Sequence, residues 1–315
     1  MPAYSLFTRM LQLALALANS CLLLTISAAY AVECKMTQAF MQPDGNAKGG
    51  VTSVWSDKES SSLFFIESLN VNTDGTRRSY SVEDFWGEKR ALNNLCNAMS
   101  DGCAGLSTDA LRTRRIVTQQ AHANGWPVAQ LQQTKISSAI IPFKGGKPCP
   151  LVDGFLVSAT ALHKPNIADV CDISNYVDAL TTPALVLPKA PSEFAQRAKV
   201  GDLVVAMVPG TSQPVYAVVG DTGPARELGE GSIALNGKLL GRTSLPINYL
   251  EVRGRREFQG RGWTVPQAIV LIFPGTRDVG NPFMTPERID EAAKGQFENW
   301  GGVERLEACA SQYRH

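Results

Sequence analysis

Short apolar runs, broken by glycine and proline, dominate the chain from about residue 63 onward. The runs with the length and β-branched content of strands are residues 63–71, 184–187, 202–208, 215–219 and 268–273. We expect 202–208 and 215–219 to form a hairpin through the Pro209-Gly210 turn, and we predict further strands at 136–143 and 155–160. Many short strands between turns predict a closed or nearly closed β architecture with helices around it.

Helical patterns flank the strands rather than alternating with them. We predict helices around 86–99 and 107–123, with Thr108-Asp109 as a cap for the second. Near the C-terminus, Thr285 as cap and Pro286 at the first position predict a helix that ends at Gly301-Gly302. A second short helix then carries Cys309. The fold class is therefore mainly β with peripheral helices (α+β), in which helical N- and C-terminal additions flank the β core.

Composition shifts divide the chain into four predicted parts. Residues 1–31 are predicted as a signal peptide, 32–60 as a flexible lead-in, 63–275 as the main, strand-rich domain, and 276–315 as a helical C-terminal extension. Arg9 is the only charge before an apolar stretch from Met10 to Ile26, and the stretch is followed by Ala29-Tyr30-Ala31. This pattern predicts cleavage after Ala31 and a secreted or periplasmic protein; an uncleaved membrane anchor is the alternative.

Cysteine usage agrees with export. Cys21 leaves with the predicted signal, and six cysteines remain, an even number that is typical of disulfides in an exported chain. Their spacing leaves the connectivity open; the pairing we expect joins Cys34 with Cys309, Cys96 with Cys103, and Cys149 with Cys171. We predict no metal site, because the sequence contains no Cys-x-x-Cys and its histidines lack ligand spacing.

Charge and motifs exclude several other classes of protein. The formal charge is +1 and no run of Lys and Arg is present, so we expect no nucleic-acid partner. No glycine-rich phosphate loop or dinucleotide fingerprint occurs, so we predict no cofactor. We expect a monomer with no membrane association once the signal is removed.

The candidate chemistry lies in residues 216–235. There a strand ends at Asp221, the Gly223-Pro224 turn follows, and Glu230 stands between two glycines that we expect to leave open space beside it. Two carboxyl groups on one strand–turn–strand unit can face one groove, as glycoside hydrolysis requires. From composition alone, a turn cap and a solvated glutamate are the more common roles of such residues.

The block Gly-Asp-Thr-Gly-Pro at 220–224, followed by Gly-Glu-Gly-Ser-Ile-Ala-Leu at 229–235, resembles the signature of family 75 glycoside hydrolases, the fungal-type chitosanases. Weaker matches in the same order extend the resemblance over about 63–275, which it therefore implies to be the catalytic domain. The resemblance implies a six-stranded, double-psi-like β-barrel core and inverting endo-cleavage of β-1,4 bonds in chitosan or a related amino-sugar polymer. It places the essential carboxyl groups on Asp221 and Glu230; we assign Glu230 as the acid and Asp221 as the base, an assignment that could be reversed.

Two other functions stay open. The Asp-Thr-Gly pattern also resembles double-psi-barrel lytic transglycosylases, which cleave peptidoglycan, and a non-catalytic polysaccharide-binding protein could share the scaffold. Asp153, Asp178 and Thr222 are our candidates for substrate binding, since an acidic groove attracts a polycationic polymer. Capping of turns and strand ends is the alternative role of both aspartates.

Overall fold

The computed structural model of the chain describes residues 33–44, 50–59 and 61–313. The predicted signal peptide and its cleavage site lie outside these residues. The strands are β1 (Met36–Asp44), β2 (Gly50–Asp57), β3 (Leu63–Asn72), β4 (Phe143–Lys144), β5 (Lys147–Pro148), β6 (Ala184–Pro188), β7 (Leu203–Met207), β8 (Val215–Gly223), β9 (Glu230–Ser232) and β10 (Val265–Phe273).

Six of these strands close into a barrel in the order β3-β10-β7-β8-β6-β9, with β9 returning to β3. The β6–β8 and β3–β9 pairs are parallel, and the other pairs in the ring are antiparallel. The predicted β-barrel core with peripheral helices is therefore confirmed. The predicted hairpin of β7 and β8 is also present.

Strand β10 shows why the barrel strands are almost continuously apolar. Val270 and Ile272 point into the barrel, whereas Leu271 and Phe273 point outward into a second apolar cluster beneath the C-terminal helices. Both faces of the strand are buried, so neither face needs polar residues.

The flexible lead-in predicted for residues 32–60 is wrong where the structure describes this segment. It forms the antiparallel pair β1 and β2, and β2 continues the sheet beside β3 through Trp55 and Phe64. Buried and less buried positions alternate along β2, and its buried face holds Val54 together with the polar residues Thr52 and Ser56. Because many residues of this edge hairpin are polar, its sequence resembles that of a loop.

The helices are α1 (Thr108–Ala123), α2 (Val128–Thr134), α3 (Glu193–Arg197), α4 (Ile233–Leu239), α5 (Tyr249–Val252), α6 (Pro286–Trp300) and α7 (Gly302–Tyr313). The C-terminal pair is as predicted: Pro286 starts α6 and Gly301 ends it. In α6, Ile289, Ala293 and Phe297 recur every four positions and are buried. In α1 the cap is Ser107, whose side chain accepts a hydrogen bond from the Ala110 backbone.

Three elements predicted between β3 and β6 do not form as regular structure. Residues 86–99 contain only a 3₁₀ turn, Leu95–Ala98, because the Asp84 carboxylate accepts hydrogen bonds from the backbone of residues 88–91 and bends the chain around itself. Segments 136–143 and 155–160 contribute isolated bridges and the short strand β4 instead of long strands. Their apolar residues fill a separate cluster outside the barrel that includes Ile136, Ile141 and Leu156.

All three expected disulfides are present: Cys34–Cys309, Cys96–Cys103 and Cys149–Cys171. The first fixes the chain before β1 to α7 across a separation of 275 residues. Three disulfides indicate an oxidising, extracellular compartment. Over the described ranges, the chain has no helix that combines the length and apolarity needed to cross a bilayer.

Candidate active site

Asp221 and Glu230 lie in one cross-strand row on the outside of the barrel. Val186 on β6 pairs with Asp221 of β8 on one side and with Glu230 of β9 on the other. Its neighbours Leu185 and Leu187 point into the barrel, so Val186 and the two residues paired with it point outward. Two strand spacings separate the backbones of the acids by about 10 Å, and both carboxyl groups face the same side of the sheet.

A β-bulge at Gly220 gives Asp221 its outward direction. Ala217 and Val219 lie inside the barrel, and regular alternation would place Asp221 inside as well. The register between β6 and β8 shifts at this point, so that Gly220 is the extra residue. A Cβ atom on Gly220 would lie 2.6 Å from the Cβ atom of Ala184, so the bulge fits only with glycine.

The glycines around Glu230 allow close packing, and the expected open space beside this residue is wrong. Gly229 has a φ of +86°, and a Cβ atom there would overlap the Ser68 carbonyl oxygen. A Cβ atom on Gly231 would overlap the Asn236 side chain. The two glycines therefore let a three-residue strand fit between β3, β6 and α4.

Asn236 of α4 fixes this short strand in place. Its Nδ2 donates hydrogen bonds to the carbonyl oxygens of Leu69, Asn70 and Trp263 at 2.9, 3.1 and 3.0 Å. Asn70 pairs with Glu230 in the parallel β3–β9 ladder. The buried amide thus holds β3 where it supports Glu230, a role that the sequence pattern did not reveal.

The Asp221 carboxylate is well supplied with donors. Its Oδ1 accepts the backbone N–H of Ala161 at 2.9 Å and that of Thr222 at 2.8 Å, and its Oδ2 accepts Asn72 Nδ2 at 3.2 Å. Burial raises the pKa of this carboxyl group above its ordinary value, while the three hydrogen bonds act in the opposite direction. The donors favour the ionised form, which is the form that a general base needs.

Glu230 lies in a different environment. Burial raises its pKa to about 7, the negative charges of Glu227 and Asp221 add to the rise, and Arg253 opposes it. No donor among the described residues bonds to its carboxyl group. A glutamic acid that keeps its proton near neutral pH can act as a general acid.

A third carboxyl group, Asp74, joins this pair, although the sequence alone did not single it out. Its Oδ1 is buried and has no hydrogen-bond partner. Asp74 and Asp221 line the same small cavity. The signal in the sequence was an aspartate directly after a strand, which is common in turns.

The three predicted binding residues have different surroundings. Asp178 accepts a hydrogen bond from the Leu180 backbone at 3.0 Å, and burial raises its pKa. Asp153 is exposed at a turn, where Arg77 Nη1 lies 3.9 Å from its Oδ2. Thr222 pairs with Leu187, which faces the interior, so alternation turns the Thr222 and Asp221 side chains to opposite faces; its backbone N–H is the group that contacts Asp221.

No family model matches the chain, and no curated protein matches it. In the parts of the chain that the structure describes, no three His, Cys, Asp or Glu side chains are grouped to hold a metal ion.

Proposed function

We propose that the protein is an inverting glycoside hydrolase that uses Glu230 as general acid and Asp221 as general base. The observation that carries the proposal is the shared row: two carboxyl groups on the same outer face, one rich in donors and one without them. Inverting enzymes need their two carboxyl groups about 6.5–9.5 Å apart, so that a water molecule fits between one of them and the sugar.

The reaction balances with these two groups alone. Glu230 gives its proton to the glycosidic oxygen as the bond from that oxygen to the anomeric carbon breaks. Asp221 takes a proton from a water molecule, whose oxygen forms the new bond to the anomeric carbon from the opposite side of the ring. The products are a chain end with a free hydroxyl group and a sugar of inverted configuration at the anomeric carbon. Proton exchange with solvent then returns a proton to Glu230 and removes one from Asp221.

The substrate class we propose is chitosan or a related β-1,4 amino-sugar polymer, cleaved internally. The ammonium groups of this polymer suit the acidic surroundings of Glu230, which include Asp221 and Glu227. We expect the protein to act outside the cytoplasm, secreted or periplasmic, after removal of a signal peptide.

One observation favours keeping peptidoglycan as a second substrate. Arg253 is exposed, lies near enough to Glu230 to lower its pKa, and its guanidinium group has no hydrogen-bond or ion-pair partner in the described ranges. A cation at this place would repel an ammonium group and attract a carboxylate, which peptidoglycan carries.

The test is hydrolysis of a panel containing chitosan, chitin oligomers and isolated peptidoglycan, with the products separated by size. Asp221→Asn and Glu230→Gln should each lose more than about 99% of the wild-type rate while keeping the folded circular dichroism spectrum. Glu304→Gln, an exposed carboxylate on α7, is the matched control and should keep the wild-type rate.

Full activity of either site variant would remove the assignment. Anhydro-sugar ends on the products would identify a lytic transglycosylase instead of a hydrolase. Retention on an immobilised polymer without any product would identify a binding protein.

A further inference from the structure

The Asp74 carboxyl group is buried beside the two proposed catalytic acids without an obvious structural role. Its Oδ1 is inaccessible to solvent and lacks a hydrogen-bond partner within the described chain. An unpaired buried carboxylate oxygen is costly, so native proteins rarely keep one without a reason. The cavity that Asp74 shares with Asp221 is otherwise lined mainly by apolar side chains, including Val177, Val186 and Ala184.

Asn72 connects the two aspartates. Its Nδ2 donates to Asp221 Oδ2 at 3.2 Å, and its Oδ1 accepts the backbone N–H of Asp74 at 2.6 Å. One amide side chain therefore fixes the position of Asp74 relative to Asp221.

The turn that carries Asp74 has no room to move away. Gly75 has a φ of +82°, and a Cβ atom there would overlap the Val177 carbonyl oxygen. The Gly75 backbone N–H also donates to Ser158 Oγ at 3.0 Å. These contacts fix the backbone beside Asp74, so its side chain stays at the cavity.

The charged and titratable groups that face Asp74 are Asp221 on β8, Glu230 on β9 and Tyr80 in the following turn. Burial, followed by the charge of Asp221, raises the Asp74 pKa well above its ordinary value, and Glu230 adds to this rise. The hydroxyl groups of Tyr80 and Ser79 lower the pKa, but by less than the other groups raise it. Two like charges on one small cavity are unfavourable, which disfavours ionisation of both aspartates at once.

We propose that Asp74 is a positioning residue that holds a proton on its buried Oδ1 and presents it to Asp221 across their shared cavity, directly or through one water molecule. This inference rests on the proposed function in taking Asp221 as the general base. The proton stays on Asp74 because Asp221 already has three donors. The hydrogen bond from Asp74 then stabilises the ionised form of Asp221, which has to accept the proton of water.

Two variants at this position separate the proposal from a merely structural role. Asp74→Leu removes the donor, so Asp221 should ionise less readily, and the acid limb of kcat/KM should move to higher pH by about one to two units. Asp74→Asn keeps a neutral hydrogen-bond donor. The acid limb of this variant should therefore stay near its wild-type pH, even when its maximal kcat/KM differs from that of the wild type. If Asp74 were ionised, Asp74→Asn would instead remove a like charge and move the limb to lower pH.

A downward shift for Asp74→Asn, or an unchanged limb for Asp74→Leu, would overturn the proposal. If Asp74→Leu does not fold, the direction of the Asp74→Asn shift still decides.

A spectroscopic measurement needs no substrate and separates this inference from the proposed function. Infrared spectra of protein labelled with ¹³C-aspartate should show a protonated carboxyl band at pH 7 that is absent from Asp74→Asn. Absence of the band from the wild type would overturn the inference even if the protein cleaves polysaccharide. Presence of the band in a protein that cleaves none would leave the proton on Asp74 and remove the proposed function.

Discussion

Asp221 and Glu230 are separated by one residue across the sheet, Val186, and by nine positions along the chain. The chain turns between them so that the acids reach β8 and β9 on either side of β6, at the same level and on the same face. This relationship places both groups on one outer face of the sheet, where Asp221 accepts three hydrogen bonds and Glu230 accepts none from the described residues.

The different environments predict a bell-shaped dependence of kcat/KM on pH. Activity needs Asp221 ionised and Glu230 protonated, so it should rise with pH as Asp221 loses its proton and fall as Glu230 loses its own near pH 7. The acid limb should lie above the ordinary pKa range of aspartate, because burial raises the Asp221 pKa. A rate profile on soluble chitosan oligomers checks both limbs; full activity at pH 9 would contradict the role of Glu230 as acid.

Two charges beside Glu230 should move the basic limb in opposite directions. Glu227 raises the Glu230 pKa and Arg253 lowers it. Glu227→Gln should therefore shift the basic limb to lower pH, and Arg253→Gln should shift it to higher pH, each by roughly half a unit.

The same profile, measured for both variants at two salt concentrations, provides the check, because added salt should shrink both shifts. Shifts of the same sign would show that the basic limb belongs to another group.

Glu230 should lower the stability of the fold above neutral pH. Its pKa is about 7 in the folded protein against 4.5 as the ordinary value, so the folded state binds the proton more tightly and wild-type stability falls as pH rises from about 4.5 to 7. Glu230→Gln removes the charge and should raise the free energy of unfolding by up to about 3 kcal/mol at pH 8.

Urea unfolding at pH 8 and pH 4 tests this sign. The difference in the free energy of unfolding between Glu230→Gln and the wild type should vanish at pH 4, where Glu230 is protonated in both the folded and the unfolded state. A variant less stable than the wild type at pH 8 would mean that the ionised carboxylate contributes a favourable interaction.

The barrel could be predicted because its strands are buried on both faces. Continuous apolar runs such as the one in β10 identify such strands without knowledge of their partners. The hairpin of β1 and β2 has polar residues even at buried positions such as Gln42, Thr52 and Ser56, so its composition resembles that of a loop. Only its pairing with β3 shows that it is part of the sheet. The helix predicted at 86–99 does not form for a different reason. The Asp84 carboxylate accepts hydrogen bonds from backbone N–H groups that a helix would use, and the pattern of apolar residues does not reveal this competition.

The candidate site was predicted in part. Asp221 and Glu230 lie close in sequence, so one motif contains both. Asp74 reaches the same cavity only because β3 pairs in parallel with β9, a contact between residues more than 150 positions apart. Asn236 likewise acts through the carbonyl groups of distant segments. A sequence motif can identify site residues that share one turn, whereas site residues on other strands are identified only from the folded barrel.

The bulge at Gly220 gives the most direct structural test of how Asp221 is aimed. Gly220→Ala would place a methyl group against Ala184 Cβ at 2.6 Å, a distance that forces β6 and β8 apart. We expect a loss of about 1–3 kcal/mol in the free energy of unfolding, together with a loss of activity because Asp221 is displaced.

The matched second change is Ala184→Gly, which removes the methyl group on the other side of this contact. The next nearest atom to the added methyl is Val177 Cγ1 at 3.7 Å, an ordinary contact, so Gly220→Ala with Ala184→Gly should recover part of both stability and rate. Ala184→Gly alone sets the baseline, since it costs some strand stability without touching the bulge. A double variant with the sum of the two single losses would show that Ala184 does not restrict residue 220, and that Asp221 is aimed by something other than this bulge.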